Sequence, residues 1–191
     1  MRSNSNPQPT YEFGGADARA RLKELILYIA QRCESDPTFN STKLNKILFW
    51  SDFGCYIQHG SPVTGVAYMR LPKGPGPKHL LPVRQEMVDD GEIIIRKIQK
   101  IDWTANKVIP LREPNLDLFT PQQISLVEQI IQECWGKTAD EVSEASHGIA
   151  WRVVGDKDLI PYELAFLSDE PPTEEDLRRS KELAQQYGWN V

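Results

Sequence analysis

The sequence predicts an α+β fold: one mainly helical domain carrying a small antiparallel β-sheet built around a hairpin. Three observations predict it. Apolar residues recur at helical spacing through several segments. Thr120 with Gln123, and Thr138 with Glu141, have the spacing of capping boxes that open helices. Ahead of them, residues 93–101 form a β-branched run and residues 107–111 a return segment. Roughly five or six helices beside so few strands place the chain among helix-dominated α+β domains.

Residues 1–15 are polar, rich in Asn, Ser, Pro and Gly, and end in Gly14 and Gly15. Such a stretch buries too little apolar surface to offset the entropy of ordering, so a disordered arm is expected. Residues 16–34 carry Leu22, Leu25, Ile26, Ile29 and Cys33 on one helical face, with Arg19, Arg21, Lys23 and Arg32 on others, and Pro37 prevents continuation. Residues 41–58 form a second helix with two apolar stripes. Leu44, Ile47, Leu48 and Cys55 make one; Phe49, Phe53 and Tyr56 make the other. A helix apolar on both sides belongs at the centre of a small domain. Gly60 supplies its left-handed stop.

Residues 63–71 are expected to be a strand entering the turn Pro72-Lys73-Gly74-Pro75-Gly76-Pro77, which its three prolines stiffen. Pro82, Val83, Met87 and Val88 predict a short helix closed by Asp90-Gly91. Residues 103–106, beginning at Trp103, are expected to turn the hairpin. Helices follow over 121–134, burying Ile124, Val127, Ile131 and Cys134, and from 139 through Ile149. A last, mostly polar helix over 173–187 starts with Glu174, Glu175 and Asp176, which suits the positive end of a helix dipole. The organisation expected is an arm (1–15), one domain (16–168) and a C-terminal helical appendage (169–191).

Charge and cysteines narrow the function classes. The net charge is −5, with 14 Lys/Arg against 10 Asp/Glu in residues 1–100 and 8 against 17 in residues 101–191. That balance argues against a dedicated nucleic-acid binder and can steer a partner. Cys33, Cys55 and Cys134 are odd in number and form no C-x-x-C pair. Reduced thiols in a cytoplasm fit this pattern better than a secreted disulfide framework. Residues 1–10 lack the apolar core of a signal peptide, and no apolar run approaches the ~20 residues of a membrane span.

No set of residues in the sequence has the form of a catalytic centre, so no enzyme is expected. The histidines are His59, His79 and His147. Ser146 and His147 are neighbours, and neighbours on a helix point about 100° apart, so they form no dyad. Cys55 and His59 at i, i+4 would be half of a zinc site, but no second pair is evident; neither metal nor cofactor is expected. The turn from Lys73 to Lys78 lacks the free N–H groups of a phosphate cradle. One alternative is a winged-helix DNA-binding regulator, with Arg96, Lys97, Lys100 and Lys107 on the hairpin as its wing. Against it, residues 41–58 offer no basic recognition face.

Three segments together carry a resemblance: Lys43-Leu44-Asn45-Lys46-Ile47-Leu48-Phe49 followed by Asp52; Tyr68-Met69-Arg70-Leu71-Pro72-Lys73-Gly74-Pro75; and Ser146-His147 followed by Trp151. In this order and spacing they resemble the Panacea domain of SocA-like antitoxins, over residues 40–155. The chain departs from that family at Lys73, where an aromatic often precedes the Gly-Pro. The resemblance implies an antitoxin that neutralises a cognate toxin, encoded beside it, by direct binding, in toxin–antitoxin systems including those of phage defence. The SocA branch further implies presentation of the toxin to a protease. No membrane or nucleic-acid partner is implied.

Within the matched segments Lys43, Leu44, Lys46, Asp52 and Trp151 are expected to be structural. Lys46, Asp52 and His147 admit two readings, a buried polar network or a toxin-facing surface. Trp50 is either core or an interface anchor. Arg70, Lys73, Gly74, Pro75 and Lys78 sit at a turn expected to be exposed and stiff, which loses little entropy on binding. With Trp50 and His147 they are the expected partner contacts.

Overall fold

The computed structural model describes residues 8–99, 104–168 and 170–188. Seven α-helices occur among them: α1 (Gly15–Arg32), α2 (Ser41–His59), α3 (Leu80–Asp89), α4 (Pro121–Cys134), α5 (Ala139–Ala145), α6 (Ile149–Arg152) and α7 (Glu174–Tyr187). Strand β1 (Tyr68–Met69) is the middle of a three-stranded antiparallel sheet, between β2 (Gly76–Pro77) and β5 (Leu159–Ile160). Strands β3 (Ile93–Gln99) and β4 (Thr104–Pro110) form a separate antiparallel hairpin. The fold is therefore mainly helical α+β.

The α2 helix is central for the reason its two stripes predict. Leu44, Ile47, Leu48 and Cys55 join Leu22, Leu25, Ile26 and Ile29 of α1 and Val127, Ile130 and Ile131 of α4 in the larger core. On the other side Phe49 and Phe53 pack with Tyr68, Ile160 and Tyr162 in a second, aromatic core. Each large apolar side chain buried this way contributes about 1.5–3 kcal/mol. Side chains fix the helix starts. Asn40 accepts from the N–H groups of Thr42 and Lys43, and complete capping boxes open α4 at Thr120, α5 at Thr138 and α7 at Thr173.

Four expectations change. The strand expected over 63–71 is only Tyr68–Met69. The chain before it is bent at Gly65, whose φ is +79° and where an added Cβ would lie 2.6 Å from the Phe13 carbonyl oxygen. That close approach also ties down the end of the expected arm, whose residues 1–7 lie outside the described residues: the Phe13 N–H donates to the Gly65 carbonyl at 2.7 Å, and its ring meets Tyr56 and Tyr162. Thr10 accepts from the Tyr162 N–H at 2.9 Å. Aromatic packing at Phe13 thus offsets the ordering entropy that composition alone left uncompensated. Third, Thr104, Ala105 and Asn106 belong to β4 instead of the turn, while Trp103 lies outside the described residues. Fourth, the helix expected through Ile149 stops at Ala145. The Ser146 N–H caps it on Ser143, the His147 N–H closes on Glu144, and Gly148 then opens α6.

Candidate partner-binding site

The three matched segments converge. Residues 43–52 lie in α2, residues 68–75 run from β1 into the proline-rich turn, and residues 146–151 run from the end of α5 into α6. Polar side chains stitch them together. The Lys46 amine, 1 % exposed, donates to the Pro75 carbonyl at 2.8 Å. The Ser143 hydroxyl donates to the Lys73 carbonyl at 2.6 Å, and the Trp151 indole N–H to the Leu71 carbonyl at 3.0 Å. Gly74 closes the seam. Its φ is +88°, and a Cβ there would lie 2.2 Å from the Ser146 hydroxyl and 2.7 Å from the Lys46 amine.

Two further buried clusters hold α2 in place. Asp52 accepts from the Thr64 backbone N–H and hydroxyl and, at 2.8 Å, from the Tyr68 hydroxyl. Burial nonetheless holds its carboxyl above the usual range. Lys43 pairs with Asp36 at 2.7 Å and donates to Thr38 at 2.6 Å, with both charged side chains buried. Such a pair matters most as a fixed register between the helix and the loop before it. Lys46 differs, because among the described residues no carboxylate accompanies it; burial pushes its amine down to about 7.

The turn is less open than its composition implied. Lys73 and Lys78 are exposed, but Gly74, Pro75, Gly76 and Pro77 are buried. The reason is the Lys46 amine and the α5 end, which cover the turn from behind. Gly74 and Pro75 are therefore buried in the seam, where exposure was expected.

Outside the seam an apolar groove runs between α2, α6 and the 3₁₀ turn Tyr162–Phe166. Trp50 and Trp151 line it with Phe53, Ile57, Leu164 and Leu167. Ile57 is 50 % and Leu167 47 % exposed, with Phe166 beside them at 59 %. Trp50 is half-buried and packs on both cores, which makes it part of the groove floor. At the groove edge the Trp151 ring carries two partners: His147 stacked at 4.1 Å and the Arg70 guanidinium at 4.2 Å, which also donates to the Val154 carbonyl at 2.6 Å. Burial, then the charges of Lys46 and Arg70, hold the His147 imidazole below its usual value. Much of this groove escaped sequence reasoning. Leu164 and Ala165 sit on a 3₁₀ turn too short to show periodicity, and Leu167 caps it.

Reactive pairings do not assemble here. The Ser146 hydroxyl donates to the Ser143 carbonyl at 2.6 Å, and the buried Nε2 of His147 has no hydrogen-bond partner among the described residues. Cys55 is buried while His59 is exposed. Burial drives the thiols of Cys33 to about 12 and Cys134 to about 11, with Cys55 also raised, far from thiolate character. Among the described residues no group of three His, Cys, Asp or Glu gathers as a metal would require, and no helix is long and apolar enough to cross a membrane. Nor does α2 resemble a recognition helix: its two lysines are buried. On α1 the cations are occupied, with Arg19 and Lys23 on Glu86 and Arg32 on Glu128.

A family model, antitoxin SocA-like, Panacea domain, matches residues 44–152. That stretch holds the seam and the α2 and α6 walls of the groove. No curated protein and no solved structure matches the chain.

Proposed function

The chain belongs to the family of SocA-like antitoxins with a Panacea domain, and from that premise we propose that it neutralises a cognate toxin by binding it directly through the groove between α2 and α6. The observation that carries this is the pair Trp50 and Trp151, half-buried on a groove whose outer rim exposes Ile57, Phe166 and Leu167. Tryptophans in a partly formed pocket are the commonest anchors of protein interfaces. The buried seam behind them is rigid, so little entropy is lost when a partner docks. In this reading binding is the working step.

In this reading the toxin is encoded by an adjacent gene and both proteins act in the cytoplasm. The acidic second half, with 8 Lys/Arg against 17 Asp/Glu, steers a basic toxin toward the chain. Presentation of the bound toxin to a protease is a later step that the same contact permits. The test is co-expression with the protein of the neighbouring reading frame. Growth is restored by the native chain and lost with Ile57→Glu combined with Leu167→Glu, two substitutions at exposed positions that leave the fold intact. A neighbouring frame that is harmless when this chain is deleted refutes the antitoxin reading. Rescue that survives both substitutions refutes the groove. Affinity that ignores ionic strength removes the steering.

A further inference from the structure

The hairpin lies outside the groove and carries its own chemistry. Neither β3 nor β4 bears an acidic residue, whereas Arg96, Lys97 and Lys107 are basic. Arg96 stands directly opposite Lys107 in the ladder. Like charges in that position repel and destabilise the pair. Lys107 is held by the Glu34 carbonyl at 2.7 Å. Arg96 and Lys97 are exposed, and among the described residues no hydrogen bond or ion pair reaches either side chain.

The backbone of β3 is also half unused. Pro110 faces Ile93 and has no N–H to give, while the Leu111 N–H donates to the Glu92 carbonyl at 2.8 Å. Ladder hydrogen bonds therefore fall on the pairs Ile94–Ile109, Arg96–Lys107 and Ile98–Ala105. The N–H and C=O groups of Ile95 and Lys97 point to the outer edge. Nothing in the described chain hydrogen-bonds to them, whereas the far strand is met by Ser41, whose hydroxyl donates to the Asn106 carbonyl at 3.0 Å. Ile94, 49 % exposed, adds an apolar contact beside this edge.

We infer that the outer edge of β3 takes up an acidic, extended segment of a partner polypeptide as a third strand, with Arg96 and Lys97 pairing its carboxylates. Main-chain bonds from Ile95 and Lys97 supply affinity, and the two cations supply the choice of sequence. A second copy of the chain is a poor occupant, because edge-to-edge pairing would bring Arg96 and Lys97 against their own duplicates. Nucleic acid is also disfavoured: the chain carries −5 overall, and a duplex needs basic surface well beyond two side chains. This inference goes beyond the antitoxin reading and does not depend on it.

The experiment is a backbone NMR titration of the full chain with capped seven-residue peptides that carry an adjacent Glu-Glu pair at the centre, one carboxylate for each face of the strand, flanked by Val, Ile and Thr. Matched peptides with Lys in place of Glu, a DNA duplex and an RNA hairpin form the other arms. The acidic peptides shift the Ile95 and Lys97 amides and slow their hydrogen exchange. Arg96→Glu combined with Lys97→Glu weakens this roughly tenfold. Lys97→Pro deletes one outward N–H, a change tolerated on a strand edge, and weakens binding while the Arg96 and Ile98 amides stay protected. The inference is overturned if no acidic peptide shifts these amides at millimolar concentration, if the Lys peptides bind as well, if Lys97→Pro changes nothing, or if only a nucleic acid produces the shifts.

Discussion

The Lys46 amine donates to the Pro75 carbonyl across 2.8 Å, and that bond is how α2 grips the proline-rich turn. It joins two of the three matched segments, and it does so with a cation that has no counter-charge beside it among the described residues. Burial without a counter-charge is what pushes this amine down to about 7.

Stability should record this. The Lys46 amine lies near the ordinary lysine value of 10.5 when unfolded and falls to about 7 when folded. Between those values the unfolded chain holds a proton that the folded chain does not, so stability rises with pH across the window from about 7 to 10.5; below it the full penalty is present and flat. The slope contributed is at most about 1.4 kcal/mol per pH unit. Urea unfolding of the native protein and of Lys46→Met, compared at pH 7, 8 and 9, isolates it: the difference between the two should shift steadily in favour of the native protein as pH rises. Parallel curves would show that the lysine stays charged in the fold.

Gly74 is the other half of the grip. Gly74→Ala places a methyl group against the Ser146 hydroxyl and the Lys46 amine in a left-handed backbone. The expected loss is about 2–4 kcal/mol, combining backbone strain with the steric displacement. Gly60→Ala is the control, since its φ is +70° with nothing within 4 Å of the added Cβ. It should lose only about 1 kcal/mol. Equal losses would mean that the seam gives way easily.

Asp52→Asn tests the second cluster. Every group around this side chain donates: the Thr64 N–H, the Thr64 hydroxyl and the Tyr68 hydroxyl. An amide presents an NH₂ to one of these donors and leaves it unsatisfied, at about 1–3 kcal/mol. Thermal unfolding reads the loss. Because the Tyr68 hydroxyl stands between β1 and α2, loosening should appear in hydrogen exchange at Tyr68 before it appears in α1.

These positions also show where the sequence spoke and where it fell silent. The two stripes of α2 placed Leu44 and Phe53 in different cores because helical period converts spacing directly into faces. Thr120 and Thr138 announced helix starts because capping is local chemistry. The strand expected over 63–71 shortens to Tyr68–Met69, since Phe13, more than fifty residues away, sets the bend at Gly65. Pro75 read as exposed because turn composition describes the turn alone and not the Lys46 amine that covers it. The groove needed residues from α2, α6 and the 3₁₀ turn to meet, and no local pattern encodes such a meeting.

His147 and Trp151 separate scaffold from surface. The Trp151 indole N–H is bound to the Leu71 carbonyl at 3.0 Å, so Trp151→Phe keeps a ring in the groove but leaves that carbonyl without its donor. A loss of about 1–2 kcal/mol is expected. His147 contributes a stack at 4.1 Å and no side-chain hydrogen bond from its buried Nε2 among the described residues. Its lowered imidazole is neutral near pH 7, so removing it breaks no ion pair. His147→Ala should therefore unfold within about 1 kcal/mol of the native protein. If the groove is the toxin-facing surface, the same substitution uncovers one side of Trp151 and weakens neutralisation in the co-expression assay. A variant that unfolds instead would assign His147 to the seam, and one that folds and neutralises fully would move the contact away from Trp151, toward the Ile57 and Leu167 end of the groove.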